Sequence, residues 1–141
     1  DSKDLLEIIQ LVETFFIASQ PSLVMTHFRG DLNIDHRIVN QAVITAARPK
    51  ENSKVRELLS FETASSTEWS FGSYGNFNPD LFVDITDEFQ LKCEAMSCYT
   101  GELCDQPHPR SLQSLEALAK YRGSQSGVLL AESFETIFRM S

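Results

Sequence analysis

Between Thr26 and Arg37 the chain reads Thr-His-Phe-Arg-Gly-Asp-Leu-Asn-Ile-Asp-His-Arg. Twelve residues thus hold two imidazoles (His27, His36), two carboxylates (Asp31, Asp35), an amide (Asn33) and two guanidinium groups (Arg29, Arg37). Groups of these types can ligate a metal, move protons near neutral pH and hold anions. Asp31-x-Asn33-x-Asp35 has the opening of a calcium loop, but its sixth position is His36 where glycine is required and its twelfth is Ala42 where a bidentate glutamate is required, so that reading is excluded. The His-Glu-x-x-His pattern of zinc proteases is absent. A plainer reading stands beside metal ligation: Asp31 or Asn33 caps a helix, Asp35 complements its dipole, and His36 packs or faces water. Taken alone, these residues supply one clear metal candidate.

Farther along, His108-Pro109-Arg110 lies in a loop, where it either reaches a pocket or is simply solvated. Trp69 and Tyr74 are suited to stacking on a sugar ring and equally to anchoring a loop. Asp84 either faces a site or caps the following helix. Cys93, Cys98 and Cys104 are odd in number and form no Cys-x-x-Cys pair, which argues against a disulfide framework or zinc knuckle and for reduced thiols in a cytoplasmic protein.

The elements that must position these groups follow from periodicity. Leu5, Ile8, Ile9, Val12, Phe15 and Phe16 recur at helical spacing from Asp4 to Ala18, and Pro21 ends that helix. Leu23 to His27 reads as a buried strand, Phe28 to Ile34 as a loop, and Asp35 to Ala47 as a helix that turns Ile38, Val39, Ala42 and Val43 inward. Strands follow at Val55 to Phe61 and Leu81 to Ile85, separated by a Ser-, Thr-, Gly- and Asn-rich loop from Glu62 to Asn78 with aromatic anchors. Thr86 is placed to cap a helix running to about Cys98, a second helix carries Leu112, Leu115 and Leu118 to Gly123, and a last helix covers Val128 to Phe138. Strands alternating with helices imply an α/β fold with a mostly parallel sheet. Three strands would leave the opening helix and one sheet edge with little cover, so the domain is expected to be truncated at its N-terminus and copies are expected to associate into a homo-oligomer. A position just past a strand and before a helix is where open α/β sheets bind ligands.

The 141 residues suffice for one domain, and 42% hydrophobic with 23% charged residues is an ordinary globular balance. Twelve basic against 20 acidic residues give a net charge of −8 with no basic run, which argues against nucleic-acid binding. No apolar stretch approaches the roughly 20 residues that span a bilayer, and the acidic N-terminus lacks a signal-peptide layout.

The stretch THFRGDLNIDHRIVNQAV resembles the second metal-site motif of the PIG-L/LmbE family of zinc-dependent sugar N-deacetylases. The likeness continues in family order through SFETASSTEWSF, VDIT, KCEAMSCY and HPRSLQSLEALAKYRGSQSG into AESFE, so that practically the whole chain is covered. It implies a Rossmann-like three-layer α/β fold, with this chain as the C-terminal part of a single deacetylase domain. It also implies one zinc ion, a small-molecule substrate of the N-acetylglucosamine-conjugate type, and loss of an acetyl group by amide hydrolysis.

In that family a His and an Asp of an N-terminal His-Pro-Asp-Asp segment ligate the zinc, and a neighbouring Asp of the segment is the general base. The third ligand is matched here by His36. The only His-Pro, His108-Pro109, is followed by Arg110 and comes late, so the resemblance supplies one of three ligands and no base. Many members carry a second histidine three positions before the metal ligand; this chain has Asn33, whose amide can donate to an oxyanion but cannot deliver a proton near neutral pH. That leaves His108, or else His27, to protonate the leaving amine. Asp35 would orient a partner or tune the site, and Arg37, His27 and Arg110 would contact the sugar conjugate. The alternative is a carbohydrate-binding or regulatory module that kept the loops and lost the ligands.

Overall fold

The computed structural model describes residues 4–51 and 53–141. Asp4 caps the first helix, α1 (Leu5–Ser19), by accepting a hydrogen bond from the amide of Leu6. Pro21 follows, and β1 (Leu23–His27) leads through a turn into α2 (Ile34–Ala46) and then β2 (Glu57–Phe61). The polar loop after β2 contains one 3-10 turn at Glu68–Ser70 and ends at β3 (Leu81–Asp84). Two helices, α3 (Phe89–Ser97) and α4 (Leu112–Ser126), precede the last strand, β4 (Ala131–Arg139).

The chain forms two compact units: one runs up to Asn78 and includes Glu135–Ser141, the other is Pro79–Phe134. In the first, α1 and α2 pack on each other and on the two parallel strands. Val24 of β1 lies level with Leu58 of β2 and forms the core with Val43, Ala47 and Val55. Val12, Phe16 and Val39 close over that cluster, which accounts for the helical spacing of these residues. In the second, β3 pairs antiparallel with the first half of β4, and Lys92 of α3 is paired with Glu132 of β4.

Four strands are ordered β1-β2-β4-β3. The sheet is mixed, not mostly parallel. β1 and β2 are parallel, β3 and β4 are antiparallel, and the links between β2 and β4 run in opposite senses, with Glu57 bonded to Arg139 and Ser60 to Glu135. The source of the difference is the segment expected to be the last helix, Val128 to Phe138, which is largely β4. A short apolar run fits either element by periodicity, and here the aromatic and β-branched residues Phe134, Thr136, Ile137 and Phe138 follow strand preference. Backbone bonds from Asp80 to Phe134 and from Ile85 to Leu130 hold the strand in place.

Two expected boundaries also move. α4 does not stop at Gly123 but continues to Ser126, and Gly127 caps it at φ 80°. Gly123 is needed for close approach instead: a Cβ there would lie 2.6 Å from the carbonyl oxygen of Val128 and 2.7 Å from that of Leu129. Thr86 does not cap α3. Its amide and hydroxyl donate to Asp84 Oδ1 at 2.9 and 2.5 Å, holding that carboxyl below its ordinary range, and the helix starts at Phe89.

Among the described residues β1 ends the strand order, and no residue of α1 is fully buried. No described helix is long and apolar enough to cross a membrane.

Candidate functional site

The carboxyl end of β1 is tied on both sides. The amide of Phe28 donates to the carbonyl of Phe61, the last residue of β2, and Asn40, buried on α2, donates its side-chain amide to His27 O at 2.8 Å. A polar amide among Val39, Ala42 and Val43 must find a partner, and it finds the strand end that carries His27. The chain then turns, Asp31 N donating to Phe28 O, with Gly30 folded so close to the Phe28 ring that a side chain there would collide with it.

Asn33 is the residue that caps α2, its side-chain oxygen accepting from Asp35 N at 2.9 Å. Asp35 is exposed in the first turn, where a carboxylate complements the helix dipole. Asp31 is left for a different task. Its side chain is fully buried, Oδ2 lies 2.9 Å from His36 Nδ1, and Oδ1 accepts the hydroxyl hydrogen of Thr67 at 2.5 Å. Ser66 Oγ, which accepts from Asn33 N, stands 3.4 Å from the same imidazole nitrogen. A carboxylate only accepts, so the proton of the neutral His36 ring sits on Nδ1, and Nε2 keeps its lone pair.

His27 stacks on His36 with ring centroids 4.1 Å apart and planes 22° from parallel. Burial, and then the neighbouring His36, push the His27 imidazole below its ordinary pKa, against a weaker opposing pull from Asp31. Its Nδ1 is buried without a hydrogen-bond partner. Arg37 reaches back over the turn, donating through Nη1 to the carbonyls of Asp31 and Leu32 at 2.7 Å each, and its guanidinium lies 4.2 Å from the centre of the Tyr74 ring. Arg37 therefore clamps the loop, and Tyr74 serves that clamp.

His27, Asn33, Asp35, His36 and Arg37 all belong to the first unit, within one strand–turn–helix. His108 and Arg110 belong to the second, in the loop before α4, where His108 Nδ1 accepts from Arg110 N at 3.1 Å and Arg110 pairs with Glu102. Sequence reasoning did not single out Thr67, Ser66 or Asn40, and read Asp31 as one of two carboxylates in the cluster or as a helix cap, without its pairing to His36. The polar position on the buried face of α2 was the one available signal for Asn40. Among the described residues no three His, Cys, Asp or Glu side chains converge as a metal cluster, and the three cysteines are free. The buried Asp31 thus orients one imidazole, that of His36, with Nε2 left as an acceptor.

No protein-family model matches the sequence, and no curated protein sequence matches it. Solved structures do. GalB, the 4-carboxy-2-hydroxymuconate hydratase of Pseudomonas putida KT2440, superposes with a TM-score of 0.73 at 19% identity over 99% of this chain and 61% of that one. The conserved protein TT1542 of Thermus thermophilus gives 0.70 at 16% identity over 95% of this chain and 59% of that one. This chain thus spans about three fifths of either structure. At such identities the likeness is one of fold, and the fold is α/β of the Rossmann-like three-layer type with a mixed sheet.

Proposed function

We propose that this chain is the C-terminal part of a zinc-dependent hydrolase that removes the acetyl group from an N-acetylglucosamine-type conjugate, with His36 as its metal ligand. The observation that carries the reading is the buried Asp31–His36 pair, which fixes the imidazole with Nε2 as the nitrogen bearing a lone pair. A carboxylate behind the ring is how metal-binding histidines are ordinarily oriented and made more basic. The ordered likeness of the whole sequence to the deacetylase family supports the same reading. Zinc, when bound, supplies a water of lowered pKa. The remaining ligands and the general base are assigned to polypeptide outside these 141 residues.

The chain's own residues take subordinate parts. Asn33 spends its side-chain oxygen on the helix cap, so its NH2 group is the end that would face a developing oxyanion. His108 is the proposed donor of the proton to the leaving amine. Arg37 is assigned to shaping the loop rather than to direct sugar contact, since its guanidinium already serves two carbonyls and a ring. Zinc analysis together with amine release from an N-acetylglucosamine derivative tests the reading. The 141 residues alone are expected to hold zinc weakly and hydrolyse nothing, and a polypeptide that completes the domain is expected to do both.

A second reading, water addition to an unsaturated carboxylate, draws on the fold shared with GalB. The two readings part on substrate: release of amine and acetate marks the first, loss of a conjugated absorbance without amine marks the second.

A further inference from the structure

We propose that the groove between the carboxyl-terminal ends of α1 and α2 binds an amphipathic carboxylate, a small molecule with one acidic head and a single alkyl chain. The groove has a volume of about 310 Å³, at the lower end of the roughly 300–1,000 Å³ of ligand pockets. It lies wholly within the first unit, beside the residues that lead into β1 and β2, whereas His27 stands at the opposite end of β1. Its apolar walls are Phe16 and Ile17 of α1, Pro21, Ala46 of α2, and Val55. Val55 is in the core and Phe16 packs against it, so the floor is held by the same contacts that hold the fold. Ile17 stands at the rim with 74% of its surface exposed, and an alkyl chain lying in the groove would cover it.

The charge of the groove names the head group. Arg48, Lys50 and Lys54 line it against the single carboxylate of Glu13, in a chain whose net charge is −8. Lys50 is occupied, its ammonium 2.6 Å from Glu13 Oε1. Arg48 donates Nε to the carbonyl of Thr45 at 2.7 Å, in the last turn of α2, which leaves its Nη groups over. Lys50, and with it Arg48, holds the Glu13 carboxyl below its ordinary range, so both cations act on the space between the helices. Lys54 forms no ion pair or side-chain hydrogen bond among the described residues. A lysine with neither capping nor pairing task, beside a guanidinium with a free fork, suits one carboxylate. The cations select an anion and the walls select its apolar chain. The inference needs neither zinc nor deacetylation, since no residue of the groove belongs to the candidate site.

The test uses the polypeptide encoded by the complete reading frame, with decanoate below its micelle concentration as the probe. Titration calorimetry is expected to show saturable one-to-one binding, with the methyl resonances of Ile17 and Val55 shifting in step. Arg48→Gln combined with Lys54→Gln is expected to weaken that binding about tenfold or more, the range for lost charge-assisted hydrogen bonds. Both side chains are exposed, so the double variant is expected to fold as the parent does. Ile17→Asp, which brings a negative charge to the wall, is a second route and should weaken decanoate more than decanol. Lys120→Gln, on α4 and exposed, is the control and should leave the affinity unchanged. Decanol, with the same chain and no charge, should bind about tenfold more weakly, and acetate, with the charge and no chain, should not bind measurably. No saturable binding of decanoate would overturn the proposal. So would equal affinities for decanoate and decanol, a decanoate affinity untouched by both the double variant and Ile17→Asp, or resonance shifts confined to residues outside the groove.

Discussion

Asp31 and His36 are five residues apart, one before and one after the cap of α2, and their side chains meet at 2.9 Å with the carboxylate fully buried and the imidazole partly open to solvent. The helix cap makes this possible. Because Asn33 takes the capping task, Asp31 is free to turn inward, where Thr67 satisfies its other oxygen.

Asp31→Asn tests that relationship. An amide can present an N–H to Nδ1 and so favour the other tautomer, moving the ring proton to Nε2. Nitrogen NMR of His36 in the metal-free chain should register that change. Urea unfolding should show a loss of about 1–3 kcal/mol, the range for a damaged buried polar contact. In the longer polypeptide zinc affinity should fall about 10- to 100-fold. An unchanged tautomer and unchanged affinity would remove Asp31 from the account.

His27 makes a pH prediction. Its imidazole titrates below the ordinary value of 6.5 because burial disfavours the charged ring. Between the two pKa values the unfolded chain therefore binds more protons than the folded one. This contribution to stability is complete above pH 6.5 and is lost as the pH falls below it. Urea midpoints of the metal-free chain at several pH values between 8 and 5 should decline toward acid, and His27→Gln should flatten the decline. A parent midpoint that rises on acidification would contradict the assigned sign.

Gly123→Ala tests the second unit by itself. The new methyl would meet two backbone carbonyl oxygens, which cannot rotate away as a side chain can. A destabilisation of about 1–3 kcal/mol is expected by thermal or urea unfolding, in the range for overpacked sites. Gly123→Ala as stable as the parent would mean that the Val128–Leu129 segment readily yields.

How much of this was legible in the sequence depends on where the deciding contacts lie. The strand Leu23–His27 and the helix after it are local matters of apolar run, cap and first-turn carboxylate, and the chain carries all three signals. β4 was not legible. Val128 to Phe138 has the apolar content of either element, and the strand is settled by hydrogen bonding to a segment more than 40 residues earlier. Within the site, His36 was singled out by the resemblance to the deacetylase motif, whereas the role of Asp31 depends on Thr67, 36 residues away in a loop with no periodicity to read. Arg37 was expected at substrate for its charge; its engagement with two carbonyls depends on the path of the preceding turn.

His108→Gln addresses the proposed proton donor in the complete domain. A general acid contributes about 100- to 10,000-fold and leaves a basic limb in the pH–rate profile. Turnover against pH should show the limb flattened with zinc retained, and His27→Gln should keep it. A limb that survives His108→Gln and disappears in His27→Gln would exchange the two roles.

The central claim is that His36 is a metal ligand held ready by Asp31, and zinc content after dialysis is its most direct test. In the longer polypeptide the parent should retain one zinc per chain, Asn33→Ala should retain it with turnover lowered about 100- to 1,000-fold, and His36→Ala should lose both zinc and activity. A His36→Ala protein that keeps its zinc and turns over normally would contradict the account.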